Sequence, residues 1–529
     1  MKLRKLKRNL EKSYNTKPDV QYYDGDMNGI RRYFDYRYEN DSDKFLIDDT
    51  TWNDLSGDVI FKHINQGLST SGEQYLYYLL RSPAVDREEY EKRAKLFEIM
   101  EDCPDLRLKL QVILSNLGRR RVARTHKVFH PPPHGLKKMW LYIILPLIFI
   151  ASAVSLIFSV AMLPLLVGLF VFLPIYHSSI ITRLYVDFVT VNYSVAILHA
   201  AKKVKKLSNP EINKIFVPCY AALTRLKPIS RIGAIPSPDT MGEFAQLINM
   251  FLFLDLIMFE LLKNRLGKHY EDIFLLHEYM GCLDSAIAVA SYRKRLPVYS
   301  TPNIDFDSRA VQLQGEGLIH PLIENPVPND IDTAASVLLT GSNASGKSTF
   351  LKTVALNAIF AQCICTVLGT KYTAPAFRIY TSMAISDDLI AGESYFISEI
   401  KSLRRIADAD TSKQPLLCVI DEVLRGTNTV ERIAASSELL AFLNKEKSLC
   451  LAATHDIELC SLLDGQYRML HFEESVTEDG DVLFDYIIKD GIATTRNAIK
   501  LLGSMGFDRK LVIRANEKAE RYNVEGKWS

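Results

Sequence analysis

Residues 139–182 contain no Lys, Arg, Asp or Glu, an uncharged run of 44 residues. One bilayer-spanning helix needs only about 20 apolar residues, so a single span cannot use that length. The run is interrupted at residues 159–164, by Ser159 and Pro164 among others, which leaves 140–158 and 165–179 as two helices of near-membrane thickness. The pattern predicts a helical hairpin. Trp140, Tyr142 and Tyr176 fall near its ends, where amphipathic rings sit at a membrane interface, and Lys137, Lys138 and Arg183 flank it. The positive-inside bias then places both ends in the cytoplasm. The run is internal and lacks a small-residue cleavage site, which separates it from a signal peptide. The same residues also suit a hairpin buried in a large core or an oligomer interface. A second apolar stretch, 247–262, carries Asp255 and Glu260 and reads as a core or partner-facing helix.

The stretch Gly341-Ser342-Asn343-Ala344-Ser345-Gly346-Lys347-Ser348 fits G-x-x-x-x-G-K-[ST] in full. Val337, Leu338 and Leu339 before it read as a buried strand, and Leu351, Val354, Ala355, Ala358 and Ile359 after it have helical spacing. The loop therefore sits where a strand hands over to a helix N-terminus, which is the context that gives the motif meaning. Gly341 and Gly346 let successive N–H groups turn toward phosphate oxygens, and the helix end adds partial positive charge. Lys347 is expected to reach the β/γ-phosphates and Ser348 to place its hydroxyl on Mg²⁺. Further along, the apolar run 416–420 ends in Asp421-Glu422, as a buried strand does when its C-terminal edge opens on a site. Asp421 is expected to hold Mg²⁺ through its water shell, and Glu422 to orient and polarise an attacking water. A third strand, 449–453, stops at Thr454-His455-Asp456, where His455 can donate a hydrogen bond toward a γ-phosphate. ATP and Mg²⁺ are the cofactors these residues imply.

At 529 residues the chain has length for two to four domains, and a net charge of +2 excludes a bulk polyelectrolyte, so any nucleic-acid surface is local. Three basic clusters stand out: Lys2, Arg4, Lys5, Lys7 and Arg8; Arg119, Arg120, Arg121, Arg124 and Lys127; and Lys202, Lys203, Lys205 and Lys206. Anionic lipid near the hairpin, DNA phosphates, or a simply solvated face each accommodate them. The eight cysteines show no C-x-x-C or zinc spacing and read as packing residues in a reducing compartment.

Several segments taken in order resemble the MutS group of DNA mismatch-repair ATPases. Residues 340–349, ending in Ser348-Thr349, look like T-G-P-N-x-x-G-K-S-T with Ser342 in place of Pro. Asp387-Asp388-Leu389 with Gly392-Glu393-Ser394-Tyr395-Phe396-Ile397-Ser398-Glu399 is similar to D-D-L-x-x-G-x-S-T-F-x-x-E, with Tyr395 in place of Thr. Asp421-Glu422 followed by Arg425-Gly426-Thr427-Asn428-Thr429 is similar to D-E-x-x-R-G-T-S-T, and Thr454-His455 completes the set. Upstream, 317–321 resembles the G-R-H-P segment that opens the ATPase, and parts of 47–83 and 283–286 look like the helical core and lever. The resemblance implies a nucleotide site made of Gly341, Ser342, Asn343, Ala344, Ser345, Gly346, Lys347, Ser348 and Thr349, with Ser394 reaching the γ-phosphate held by a twin subunit. That requires a homodimer. It also implies that the last two helices, about 495–504 and 509–522, form an interlocking helix-turn-helix, with Asp508 as N-cap of the second.

The expected fold class is an α/β P-loop ATPase domain at the C-terminus, preceded by an all-α core and lever that a transmembrane hairpin interrupts. The expected divisions are 1–40 (polar, loosely ordered), 41–135 (helical core), 136–183 (hairpin), 184–298 (helical lever), 299–490 (ATPase) and 491–529 (dimerisation). About 40 residues precede the core where repair members carry far longer mismatch-reading and connector domains, and no Phe-x-Glu wedge occurs among them, so direct mismatch recognition is not expected. The family's adenine-stacking aromatic has no counterpart near Val327. The function expected is a cytoplasmic-membrane, dimeric ATPase that moves helical arms, with DNA as its inherited partner. The other reading is a membrane assembly or signalling ATPase with a protein or lipid partner. No L-S-G-G-Q segment occurs, which argues against a transporter.

Overall fold

The computed structural model describes residues 2–525 except 42, 125–138, 208, 236–241, 309, 343–344, 384–394, 426, 446, 477–481, 494–498 and 500–505. The chain forms two compact units. One gathers Met1–Ser42, Ile64–Tyr78 and Leu96–Lys294; the other gathers Asp43–His63, Leu79–Lys95 and Arg295–Ser529. The block expected as one helical core, 41–135, is thus divided between them.

The first unit is helical. Its N-terminal residues, expected to be loosely ordered, form α1 (Lys2–Ser13) and α2 (Asp26–Asn40). The reason is a short apolar stripe: Ile30, Tyr33 and Phe34 share one face of α2 and are buried. The Tyr33 hydroxyl donates to Glu278 at 2.5 Å, and Arg37 pairs with the same carboxylate at 2.7 Å. The centre of the unit is α13 (Tyr270–Arg295), whose residues from Leu283 to Arg293 are all buried. Asp284 accepts hydrogen bonds from the Leu68 and Ser69 amides and from the Ser69 hydroxyl at 2.6 Å. Burial pushes its carboxyl up to about 6. Gly72 has to be glycine here, since a Cβ would lie 2.0 Å from the Asp284 carboxylate.

The uncharged run forms the expected hairpin: α8 (Met139–Ser155), a turn, and α9 (Leu163–Lys205). The second arm is longer than expected. It is one helix of 43 residues that continues past Arg183 without a break, about 64 Å at 1.5 Å per residue. Ile157, Phe158, Val160, Phe170, Val171 and Ile175 lie exposed along the hairpin. The apolar stretch 247–262 is two helices, α11 (Glu243–Leu252) and α12 (Leu254–Lys268), bent by 69° at Phe253, whose φ is 54°. By length and composition α13 could also cross a membrane, but its apolar window is 72% buried inside this unit.

The second unit holds two sheets. The larger has strand order β10-β9-β4-β8-β7-β6, built from β4 (Val337–Thr340), β6 (Arg378–Ser382), β7 (Leu416–Asp421), β8 (Ser448–Ala453), β9 (Arg468–Val476) and β10 (Val482–Asp490). All neighbours are parallel except the β9–β10 hairpin. Strands β4, β7 and β8 are buried throughout, as continuous apolar runs in a covered parallel sheet must be. The smaller sheet orders β1 (Asn303–Asp305), β5 (Lys371–Pro375), β2 (Leu313–Leu318) and β3 (Asn329–Thr333). Within this unit the short helix α3 (Asp49–Asp54) is fixed to the end of β6. Asp54 accepts from the Thr381 hydroxyl at 2.6 Å and the Met383 amide at 3.1 Å. The first expected C-terminal helix lies outside the described residues. The second is α18 (Arg509–Glu525), with Asp508 accepting the Lys510 amide at 2.8 Å as an N-cap does.

Candidate functional site

Strand β4 ends at Thr340, and the chain turns through the glycine loop into α14 (Lys347–Cys363). Gly341 and Gly346 have φ of 144° and 106°, a region that L side chains rarely adopt. Asn343 and Ala344 lie outside the described residues. Lys347 is buried, and its Nζ donates to the carbonyls of Gly341 at 2.9 Å and Ser342 at 2.8 Å. The loop therefore folds around its own lysine. Burial pulls that ammonium down to about 8, against the opposing pull of Asp421. Ser342 donates to the buried Glu474 at 2.9 Å. The Ser345 hydroxyl is buried with no hydrogen-bond partner among the described residues. Ser348 and Thr349 stand exposed at the first turn of α14.

The strand tips bring the expected carboxylates and histidine to the same place. Asp421 pairs in register with Ala453 at the ends of β7 and β8. Its Oδ1 is buried without a hydrogen-bond partner among the described residues. A buried, acceptor-only oxygen of this kind suits a divalent cation or the cation's water. Glu422 and Leu424 follow with φ of 60° and 57°, strained values for residues with side chains. Hydrogen bonds hold that loop: the Glu422 amide donates to the Ala453 carbonyl at 3.0 Å, the Leu424 amide to Glu399 at 2.5 Å, and the Ser436 hydroxyl to the Val423 carbonyl at 3.3 Å. Glu399 sits on α15 (Tyr395–Ala407), and burial raises its carboxyl. The Glu422 side chain is fully engaged, with one oxygen on the Arg425 guanidinium and the other 2.8 Å from His455 Nε2. Burial lowers the His455 pKa, and Lys347 lowers it further. A neutral imidazole can donate from only one nitrogen, and Glu422 accepts only, so Nε2 carries the proton. Nε2 then cannot also accept from Lys347 at 3.4 Å; the shorter contact to the carboxylate decides.

These groups surround a cavity of about 530 Å³. Gly346, Lys347, Ser348 and Thr349 form one wall, and Glu422, Arg425 and His455 a second. His320, Val327 and Tyr486 lie around the remainder. Burial pulls His320 down to about 4. Tyr486 belongs to β10, has a φ of 54°, and its ring rests against Gly346, where a Cβ would meet it at 3.2 Å. Asn329 fixes it by donating to the Tyr486 carbonyl at 2.9 Å. Sequence reasoning missed Tyr486 as an aromatic of this cavity, which Phe350 and Phe472 also line, because a strand tyrosine 140 positions past Gly346 carries no local signal. Glu399 was quoted inside a motif but without a role. Ser394 and the Asp387-Asp388-Leu389 segment lie outside the described residues.

Of the basic cluster before the hairpin, Arg119 and Arg121 are engaged inside the first unit. Arg121 pairs with the fully buried Glu73 at 2.7 Å and also with Asp26, and Arg119 reaches Glu73 at 3.1 Å and the Gly67 carbonyl at 2.7 Å. These two arginines stabilise the helical core and are not free for lipid or DNA.

Residues 337–523 match the family described as MutS domain V. The chain is 31% identical over 274 residues to the DNA mismatch repair protein MutS of Fervidobacterium nodosum, covering 50% of this chain and 32% of that protein. It is 34% identical over 230 residues to the MutS of Natronomonas pharaonis (41% and 26%), and 33% over 201 residues to that of Thermus thermophilus (37% and 24%). The chain thus spans about a third or less of the length of these relatives. With a glycine loop, the carboxylate of Glu422 and a histidine around one cavity, residues 337–523 constitute a MutS domain V, an ABC-type P-loop ATPase domain.

Proposed function

We propose that this chain is a membrane-anchored ATPase that works as a homodimer, coupling ATP binding and hydrolysis to movement of its helical parts, with DNA as the polyanion it grips. The observation that carries the catalytic reading is the convergence of Lys347, Glu422 and His455 on one cavity beside the unpaired Asp421 oxygen. Lys347 exchanges its own loop carbonyls for β/γ-phosphate oxygens. Ser348 and Asp421 are the residues suited to hold Mg²⁺, which neutralises charge on the phosphates when bound. Glu422 releases one of its two partners to polarise a water, and His455 holds the carboxylate in place. Ser394 reaches the twin subunit's γ-phosphate. Movement is coupled through α15: Glu399 near its start holds the Glu422 loop, and Arg405 near its end binds Asp48 and the Thr381 carbonyl at 2.5 Å, beside α3. The test is ATPase activity and sedimentation of protein extracted from membranes. ATP-dependent dimerisation with hydrolysis is expected. A chain that stays monomeric and inactive in saturating ATP and magnesium overturns the proposal.

Tyr486 takes the adenine ring. Tyr486→Ala is expected to weaken ATP binding by about twofold to tenfold, since an aromatic stack is worth about 0.5–1.5 kcal/mol beyond area. Equal affinity of wild type and variant for ATP rejects the assignment.

The hairpin's outward apolar surface supports the membrane anchor, being far larger than soluble chains expose. Helix α9 then acts as a ruler. Lys203 lies 20 residues beyond Arg183, about 30 Å past the membrane surface, and a tilt of 40° leaves more than about 20 Å. The screening length is about 8 Å, so lipid headgroups do not reach it. Lys203, Lys205, Lys227 and Arg231 are exposed and have no ion-pair partner among the described residues. Neighbouring Lys202 is pulled down by burial and then by Lys227, Arg231 and Lys206. Replacing Lys203, Lys227 and Arg231 by Glu is expected to cut DNA affinity at low salt at least about tenfold. The slope of log K against log salt should shrink by about 0.9 per lost contact. Wild-type protein that binds no DNA leaves the assembly or signalling reading in its place.

A further inference from the structure

The polar residues buried against the hairpin point to a third membrane element. At Phe253 the helical path breaks, which leaves backbone N–H groups of the next turn without helical partners. In water such a break needs no help. Here the Asp255 amide donates to the buried Asn249 side chain at 3.1 Å, and the Leu256 amide to the Asp255 carboxylate at 2.7 Å. The same carboxylate lies 2.9 Å from Nε2 of His177 on α9. His177, Asp255 and Asn249 are all buried among Tyr142, Leu173, Phe251 and Phe253. A set of polar groups this closed is what an apolar solvent demands of irregular backbone.

Packing sets the depth of the segment. Phe251 stacks on Phe149 of α8 and Phe170 of α9, with ring centroids 5.0 and 5.1 Å apart. Phe149 lies ten residues into the hairpin, about 15 Å from its start. Both flanks are tied to α9 beyond the uncharged run. Ile235 and Asn192 exchange two hydrogen bonds, at 2.9 and 3.3 Å. On the return side Lys263 pairs with Asp187 at 2.9 Å, and Phe259 stacks on Phe188 at 4.2 Å. The segment therefore leaves from and comes back to the same side. Chain length agrees: eight residues from Ile235 to Glu243 reach at most about 28 Å, whereas the far side of a bilayer lies about 43 Å from the level of Asn192. Phe244, Leu247, Ile248 and Leu254 remain exposed, on helices that pack against both arms of the hairpin.

We propose that residues 243–258 form a re-entrant segment that enters the bilayer beside the hairpin without crossing it, with lipid acyl chains covering Phe244, Leu247 and Leu254 and the His177–Asp255 pair locking the break to α9. This rests on the membrane reading of the hairpin. The test is a nitroxide attached to Leu247→Cys in the full chain, with Cys103→Ser to remove the exposed native thiol, reconstituted in phosphatidylcholine vesicles. A label at Phe170→Cys reports on the hairpin separately. High collision with oxygen and low collision with a water-soluble nickel chelate is expected at both positions. Nickel access at 247 with protection at 170 overturns the re-entrant segment and leaves the anchor standing. Nickel access at both overturns the anchor as well. Low collision with both reagents at 247 means that protein covers this face, which also rejects the proposal.

Discussion

Glu422→Gln is expected to lower ATP turnover by about 10²–10⁴-fold while ATP remains bound. The amide keeps the shape of the carboxylate and its oxygen still accepts from His455; its NH2 group cannot accept from Arg425, so that contact is lost, but the backbone bonds of the strained loop to Ala453 and Glu399 remain. What disappears is basicity: an amide cannot polarise water toward attack on a γ-phosphate. Because the lysine and the loop hydroxyls are untouched, the affinity for ATP should change by less than about threefold. A site shared between two subunits then stays closed, so the variant should sediment as a stable dimer in ATP, whereas wild type returns to monomer as substrate is consumed. Single-turnover hydrolysis, nucleotide retained after gel filtration and sedimentation together check this. Hydrolysis at the wild-type rate removes Glu422 from the role of base. A slow enzyme that fails to dimerise keeps the base and rejects the shared site.

The parts of the fold that were legible in the sequence are those whose signal is local. Glycine spacing, an apolar run ending in two carboxylates, and a long uncharged stretch each state their own geometry. The strands β4, β7 and β8 and the first arm of the hairpin accordingly fall where expected. What escaped depends on pairs distant along the chain. Residues 1–40 lack sustained periodicity, yet Tyr33, Tyr36 and Arg37, at helical spacing on α2, find partners in α13: Glu278 for Tyr33 and Arg37, and Tyr270 for Tyr36. Arg119 and Arg121 read as a free basic cluster because Glu73 lies more than forty residues earlier. The break at Phe253 was invisible: nothing in Phe251-Leu252-Phe253-Leu254 is a breaker, and only the contacts with His177 and Asn249 settle where the helix divides. Tyr486 likewise owes its place to a bulge in the β9–β10 hairpin.

Lys347→Ala should weaken ATP binding by at least about 100-fold. Two hydrogen bonds from an ammonium to phosphate oxygens contribute about 1.5–3 kcal/mol each, and each 1.4 kcal/mol is a factor of ten. The loss is binding and not folding, because in the free protein the ammonium is held charged against desolvation and repays that cost only to two carbonyls of its own loop. The melting temperature of the variant should therefore not fall. The same lysine gives wild type a pH dependence whose sign is fixed. Its free pKa is lowered to about 8. Phosphate oxygens favour the charged form, so the pKa rises on binding, and above pH 8 each ATP bound takes up a proton. Affinity should be flat up to about pH 7 and fall toward tenfold per unit above about pH 8. In Lys347→Ala that decline should vanish, leaving a weak and level profile. A decline that persists in the variant assigns the titration to another group, and the buried ammonium then cannot be the charge that ATP meets in this loop.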